Sequence, residues 1–468
     1  MKAGLMRLAD YLGSSYWFVP TIMAIGAVLL AGGMVTLDAT VGSAWMGDAG
    51  WIYASHPDGA RQVLSSVGGS MITVAGTVFS VTIAAVVYAS GQYGPRLLTN
   101  FMRDRGNQVT LGTFIATFLY CLLVLRTIRS AEESGGYGFV PNLALLVGVV
   151  LALCSIAVLI YFIHHVPSKI HINSVIEDVG DRLLRGIENR FPRFVGRAPD
   201  DHAATAANLP ATFRNDADAA TGADRFVVEA ENTGYIQFLD DEALLRVART
   251  HDLVLRLQYQ PGDFVHVGRA LVEAWPPARC DEACADALRN AVSIGSRRTA
   301  LQDLRFLIDE LVEIAARALS PGVNDPFTAV TCLDWLGAAL SNLAGRALPS
   351  HLRVDDEGAL RVITHPVTFA SLMDRSFGAL AHYCSTDMVA ALRYLNALGE
   401  VSLDCDEADR VATIRSYADK LEELANEGLK GFNLTRVQRR ADEVRTALAQ
   451  PDYKRRLRDG TAWLAGTA

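Results

Sequence analysis

Five residues at helical spacing, Gly69, Thr73, Gly76, Ser80 and Ala84, are the first whose types and positions could do something. They lie three or four apart, so on a helix of about 3.6 residues per turn they share one narrow stripe. Larger neighbours such as Val74, Val78, Phe79 and Val86 fall elsewhere on the circumference. Two chemistries follow. Small side chains let backbones approach and hydroxyls bond between helices, which makes a packing seam. Alternatively, identical stripes from several subunits surround a narrow pore, whose weakly polar lining admits water without the burial of a charge.

A second candidate is the loop carrying Ser320, Asn324 and Asp325. Upstream, Leu301, Leu304, Leu307, Ile308, Leu311, Val312 and Ala315 repeat on one helical face, which predicts a helix over 300–319. Pro321-Gly322 ends it, and Asp325 before Pro326 suits an N-cap for a next helix running through Leu340. A structural corner accounts for these residues. The functional alternative is a site for a cation, a phosphate-bearing ligand or a partner, since loops held by rigid helices often carry function.

Other chemistry is sparse. Cys280 and Cys284 are four apart with no His or further Cys beside them, so they are ordinary helix positions rather than a metal site. No GxSxG, HExxH, glycine-rich phosphate loop or paired CxxC occurs, so no catalytic residue, metal or cofactor is expected and the chain does not read as an enzyme. Asp303, Asp309, Glu310 and Glu313 sit among Arg305 and Arg317, which reads as local charge pairing. Arg436, Arg439 and Arg440 read as a solvated face, with contact to anionic lipid as the alternative.

The elements that must hold these residues divide the chain sharply. Of its 468 residues 50% are hydrophobic and only 20% charged, and the formal charge is −8. A nucleic-acid partner held by non-specific electrostatics is therefore excluded. Residues 11–37, 62–95 and 106–125 contain no Asp, Glu, Lys or Arg, and a fourth apolar stretch runs from Leu143 to about Val166. Each reaches the roughly 20 residues needed to cross a bilayer. We expect spans at about 16–37, 64–89, 107–126 and 142–166, forming a four-helix transmembrane domain over 1–168 in contact with membrane lipids. The first apolar block exceeds a signal-peptide core and three more follow, so it reads as retained. Lys2, Arg7, Arg96, Arg103, Arg105 and Lys169 outnumber Arg61, Arg126 and Arg129 across the membrane, which places both termini in the cytoplasm. None of the spans has an ionisable side chain at its middle, which argues against a proton relay.

Gly69 to Ser80, Tyr93-Gly94-Pro95-Arg96-Leu97-Leu98, Phe101 to Gln108, Gly234-Tyr235-Ile236-Gln237 and Ala318 to Ala329 together resemble a bacterial family of predicted membrane proteins of unknown function. The resemblance implies a four-span inner-membrane protein with a cytoplasmic C-terminal region, and no activity. The exit of the second span, Val86 to Gln92, is a looser version of the family's.

Beyond the membrane, apolar residues from Ile172 to Ile187 at helical spacing predict a stalk helix within 169–196, followed by an Ala-, Asp- and Thr-rich linker over 197–223. Residues 224–276 change to strand-like runs and contain Gly262 to Leu271, which resembles the turns of the small barrel of biotinyl and lipoyl carriers. The five lysines lie at 2, 169, 420, 430 and 454, none in this segment, so covalent carriage is excluded and a barrel-like module for packing or assembly remains. Residues 277–468 read as helical, with helices over 367–399, 404–429 and 433–449. The expected architecture is thus a membrane α-helical domain plus a cytoplasmic α+β region. Two functions fit it: a homo-oligomeric channel lined by the second span, or a non-conducting scaffold or sensor binding a ligand or an unknown cytoplasmic protein partner.

Overall fold

The four apolar stretches are helices in the computed structural model, which describes residues 15–41, 56–93, 104–130, 139–190, 198–200, 205–206, 209–214 and 225–460. They are α1 (Phe18–Val41), α2 (Pro57–Tyr93), α3 (Arg105–Leu125) and α4 (Asn142–Ile170). All four are long and apolar enough to cross a membrane. Helices suit that solvent because they satisfy their own backbone groups. α2 has 37 residues, which at about 1.5 Å each exceeds the roughly 30 Å of a hydrocarbon core. It starts at Pro57, earlier than expected, because Asp58 and Arg61 break the apolar pattern without breaking the helix.

α3 is the most enclosed of the four and packs against the other three. Its polar groups are spent on neighbours. The Tyr120 hydroxyl donates to the Ala144 carbonyl at 2.9 Å, and Thr117 and Ser155 share a buried hydrogen bond at 3.0 Å. Asp38, near the end of α1, accepts from the Leu143 and Ala144 amides at 3.0 and 2.9 Å and so caps α4. Asp104 meets His165 Nε2 at 2.7 Å, and His165 Nδ1 meets the Tyr161 hydroxyl at 3.0 Å. Lys2, Arg7, Arg96 and Arg103, used for the orientation, lie outside the described residues.

The chain divides after Ser174 into two compact units. The C-terminal unit begins with α5 (Ile172–Arg190). Its apolar stripe, Ile176, Val179, Leu183 and Ile187, is at most 1% exposed, so this helix is a wall of the unit. Gly180 and Gly186 permit the approach, since a Cβ there would overlap Trp335 and Leu304. Most of the expected linker lies outside the described residues. One turn within it, Ala211–Arg214, packs Phe213 against Leu352 and Ile363.

No closed barrel forms among the described residues. The strands β1 (Phe226–Glu229), β2 (Gly234–Leu239), β3 (Val254–Leu257), β4 (Phe264–Val265), β5 (Ala270–Trp275), β6 (Val292–Gly295), β7 (Leu352–Val354) and β8 (Leu360–Ile363) make two open sheets. One has the order β1-β5-β3-β8-β7 and the other β4-β2-β6. The reason is visible in the pairing: β4 has two residues and pairs only with β2, while β5 leaves for the other sheet. β3 is then flanked on its free side by β8 in parallel, Leu255 facing Val362. Three strands thus come from the region expected to be mainly helical.

The remaining helices are α6 (Asp241–Thr250), α7 (Glu282–Asn290), α8 (Leu304–Ala318), α9 (Pro326–Ala344), α10 (Phe369–Met373), α11 (Ala379–Cys384), α12 (Met388–Leu403), α13 (Ala408–Gly428), α14 (Gly431–Ala449) and α15 (Pro451–Asp459). The single helix expected over 367–399 is divided. A π-turn, Asp374–Gly378, joins α10 to α11, and Asp387 caps a new helix by accepting from the Ala390 amide at 2.9 Å. Arg440 is buried beside Asn396 and Glu443 rather than on a solvated face.

Candidate functional site

The C-terminal unit encloses a cavity of about 240 Å³. Leu183 and Ile187 from α5, Leu257 from β3, Leu336 and Leu340 from α9 and Leu372 from α10 give it an apolar wall. Exposed His365 and Pro366 mark the side that meets solvent, and His365 Nε2 is fixed 2.8 Å from the Gln258 carbonyl. Arg375 and Ser376 reach the wall from the π-turn, a helix irregularity often found at functional sites.

Arg353 also lines it. It is the middle residue of β7, a strand buried at all three positions, and is only 1% exposed. Its Nε and Nη1 have no hydrogen-bond partner, and no described residue pairs with the guanidinium. Burial alone pulls its pKa below the ordinary arginine value, with no carboxylate acting against that shift. An unpaired buried charge is costly, because the water it left is not replaced.

The other charges near the wall are neutralised. Asp303 accepts from Arg298 at 2.5 and 3.0 Å and from Arg305 at 3.3 Å. Arg305 also bonds Asp263 at 2.8 Å and the Pro261 carbonyl at 2.7 Å. Asp309 receives a bidentate pair from Arg375 at 2.6 and 2.7 Å and a third bond from Arg298 at 2.5 Å. Burial would push the Asp309 carboxyl up, but Arg375 and Arg298 outweigh it and hold it below the usual carboxylate range. Gly262 allows this network to close: its φ is +94°, and a Cβ there would overlap the Asp303 carboxylate.

The residues singled out from sequence lie elsewhere. Gly69, Thr73, Gly76, Ser80 and Ala84 form an exposed stripe on α2, and a Cβ at Gly69 or Gly76 would meet nothing within 4 Å. The hydroxyls of Thr73 and Ser80 return to their own helix, onto the Gly69 and Gly76 carbonyls at 2.9 Å. Among the described residues the stripe is left exposed. Ser320 donates to the Arg317 carbonyl at 2.6 Å. Asp325 accepts from the Thr328 amide at 3.2 Å and the Thr328 hydroxyl at 2.6 Å, while its own amide donates to the Ala318 carbonyl at 2.7 Å. Asn324 takes a left-handed φ of +51° at the bend. The geometry of this loop is that of a helix corner. The Sγ atoms of Cys280 and Cys284 approach to 3.1 Å, and burial pushes the Cys280 thiol up to about 12. No cluster of three metal-ligating side chains occurs among the described residues.

Arg353 escaped the sequence reading because Leu352-Arg353-Val354 alternates like a strand with one wet face. The missed signal was the hairpin around it: two short β-branched runs flanking Asp355-Asp356-Glu357-Gly358, with Gly358 at φ +84°.

An uncharacterized protein of Mycobacterium bovis and one of Mycobacterium tuberculosis are each 34% identical to this chain over 412 residues, covering 86% of it and 75% of the relative. No solved structure matches. The family model described as predicted membrane protein (DUF2254) matches residues 13–400, from the start of the apolar helices into α12. With four helices able to cross a bilayer ahead of a mixed α/β and helical region, the chain is a multi-pass membrane protein and belongs to that family.

Proposed function

We propose that the protein is a membrane-anchored receptor whose C-terminal unit binds a small ligand in the Arg353 cavity. The observation that supports this is a buried guanidinium, without a partner among the described residues, on the wall of a mostly apolar space. A concave, mostly apolar pocket with one placed polar group is the usual form of a small-molecule site. The excess of basic residues at one set of span ends supports an inner-membrane location with this unit in the cytoplasm. A direct test extracts small molecules from the purified full-length protein and from Ala339→Phe, which fills the cavity, and compares them by mass spectrometry. A compound present in the first and absent from the second supports the receptor. Identical extracts from two folded proteins overturn it.

A second reading, a homo-oligomeric pore, draws support from the exposed stripe of α2, whose Gly69 and Gly76 meet no neighbour among the described residues. Liposomes holding the purified protein test it. Flux that is abolished by Gly76→Leu supports the pore, and absence of flux under voltage or osmotic downshift removes it.

A further inference from the structure

We infer that the Arg353 cavity takes a small amphipathic oxyanion: one short apolar chain ending in a carboxylate or a phosphate monoester. This rests on the receptor reading and adds the chemical class of its ligand. The two parts of the cavity ask for the two parts of such a molecule. Leu183, Ile187, Leu336 and Leu340 supply a surface that gains from covering an alkyl chain. Arg353 lies on the same wall, and its guanidinium has no acceptor among the described residues. A guanidinium holds its N–H groups in a planar fork, which suits the paired oxygens of a carboxylate or phosphate.

The other arginines and the carboxylate on the wall are already paired. Asp303, the carboxylate there, is already shared by Arg298 and Arg305, and Arg375 is engaged by Asp309. Three of the wall hydroxyls have bonds of their own. Ser350 accepts from the Leu352 amide, and Thr364 and Ser376 donate to the His351 and Leu372 carbonyls. A neutral ligand would leave the buried charge unpaired, and a cationic one would add to it. Size narrows the class further. The 240 Å³ falls below the roughly 300 Å³ at which drug-sized pockets begin. A space of that size suits one short chain.

The test uses the full-length protein in phosphatidylcholine nanodiscs, with empty discs as the partition background. Octanoate, octyl phosphate, octanol and octyltrimethylammonium are titrated by calorimetry into the natural protein, Arg353→Met and Arg353→Lys. The expected result is at least about a ten-fold preference for one of the anions over octanol, lost in R353M and partly kept in R353K. Thermal melts of both variants verify folding. Equal binding of octanol and the anions overturns the oxyanion while leaving a receptor, and so does an anion preference that survives in R353M. Binding of no probe above the empty discs removes the receptor and the oxyanion together.

Discussion

Two buried arginines of the C-terminal unit sit in opposite situations. Arg410, 7% exposed, donates to the Leu343, Ala344 and Arg346 carbonyls at 3.2, 2.8 and 3.0 Å, pairs with Glu407 at 2.8 Å, and stacks over Phe369. It closes the C-terminal end of α9, where helix carbonyls lack intrahelical partners and the dipole favours a cation. Arg353, more deeply buried, engages no described residue. The same side chain is thus a finished piece of architecture in one place and an open valence in the other. Buried polar groups are distinguished by whether their bonds are spent, and only unspent ones point to something from outside.

The contrast can be broken by substitution. Arg410→Met takes a donor from three carbonyls at the end of α9 and leaves Glu407 unpaired, so a loss of about 3 kcal/mol in denaturant unfolding is expected. Gly262→Ala forces a left-handed φ on a residue with a Cβ and pushes on Asp303, which predicts a loss of about 2 kcal/mol by the same measurement. Asp325→Ala removes an N-cap and predicts a loss of about 1 kcal/mol with ligand binding unchanged, because that loop's bonds are all local. Arg353→Met carries the smallest expected effect on the free protein. Stability stays level or rises by about 1 kcal/mol, because an unpaired buried charge is removed. A large loss there would mean that Arg353 is as structural as Arg410.

Acid titration sharpens the same comparison through Asp309. Its carboxyl lies below the usual range in the folded state, so it adds stability at pH above the unfolded carboxylate value. That contribution disappears as pH falls through the folded value. In Asp309→Asn the acid limb of the stability profile flattens, whereas R353M leaves it unmoved.

The sequence made the membrane unit legible because crossing a bilayer demands a long uncharged run, and composition alone displays it. The spans expected at 16–37 and 142–166 correspond to Phe18–Thr40 and Asn142–His165. The corner at Pro321 and Asp325 was equally readable, since capping is settled within a few residues. The sheets were not. β3 is completed by β8 from far downstream, and no local pattern names a distant partner. Arg353 was hidden for a related reason: its strand alternates as if one face were wet, while the covering of both faces is decided by elements remote in the chain. Local chemistry was visible, and enclosure was not.

The parallel pairing of β3 with β8 also has a consequence for biosynthesis. At roughly 5–20 residues per second, β3 leaves the ribosome on the order of ten seconds before the strand that seals its edge. Through that interval a hydrophobic strand waits with unpaired amides, a template for mispairing with neighbouring nascent chains. Chaperone supply and translation speed between Leu257 and Leu360 should therefore set how much of the chain matures, independently of how stable the finished protein is.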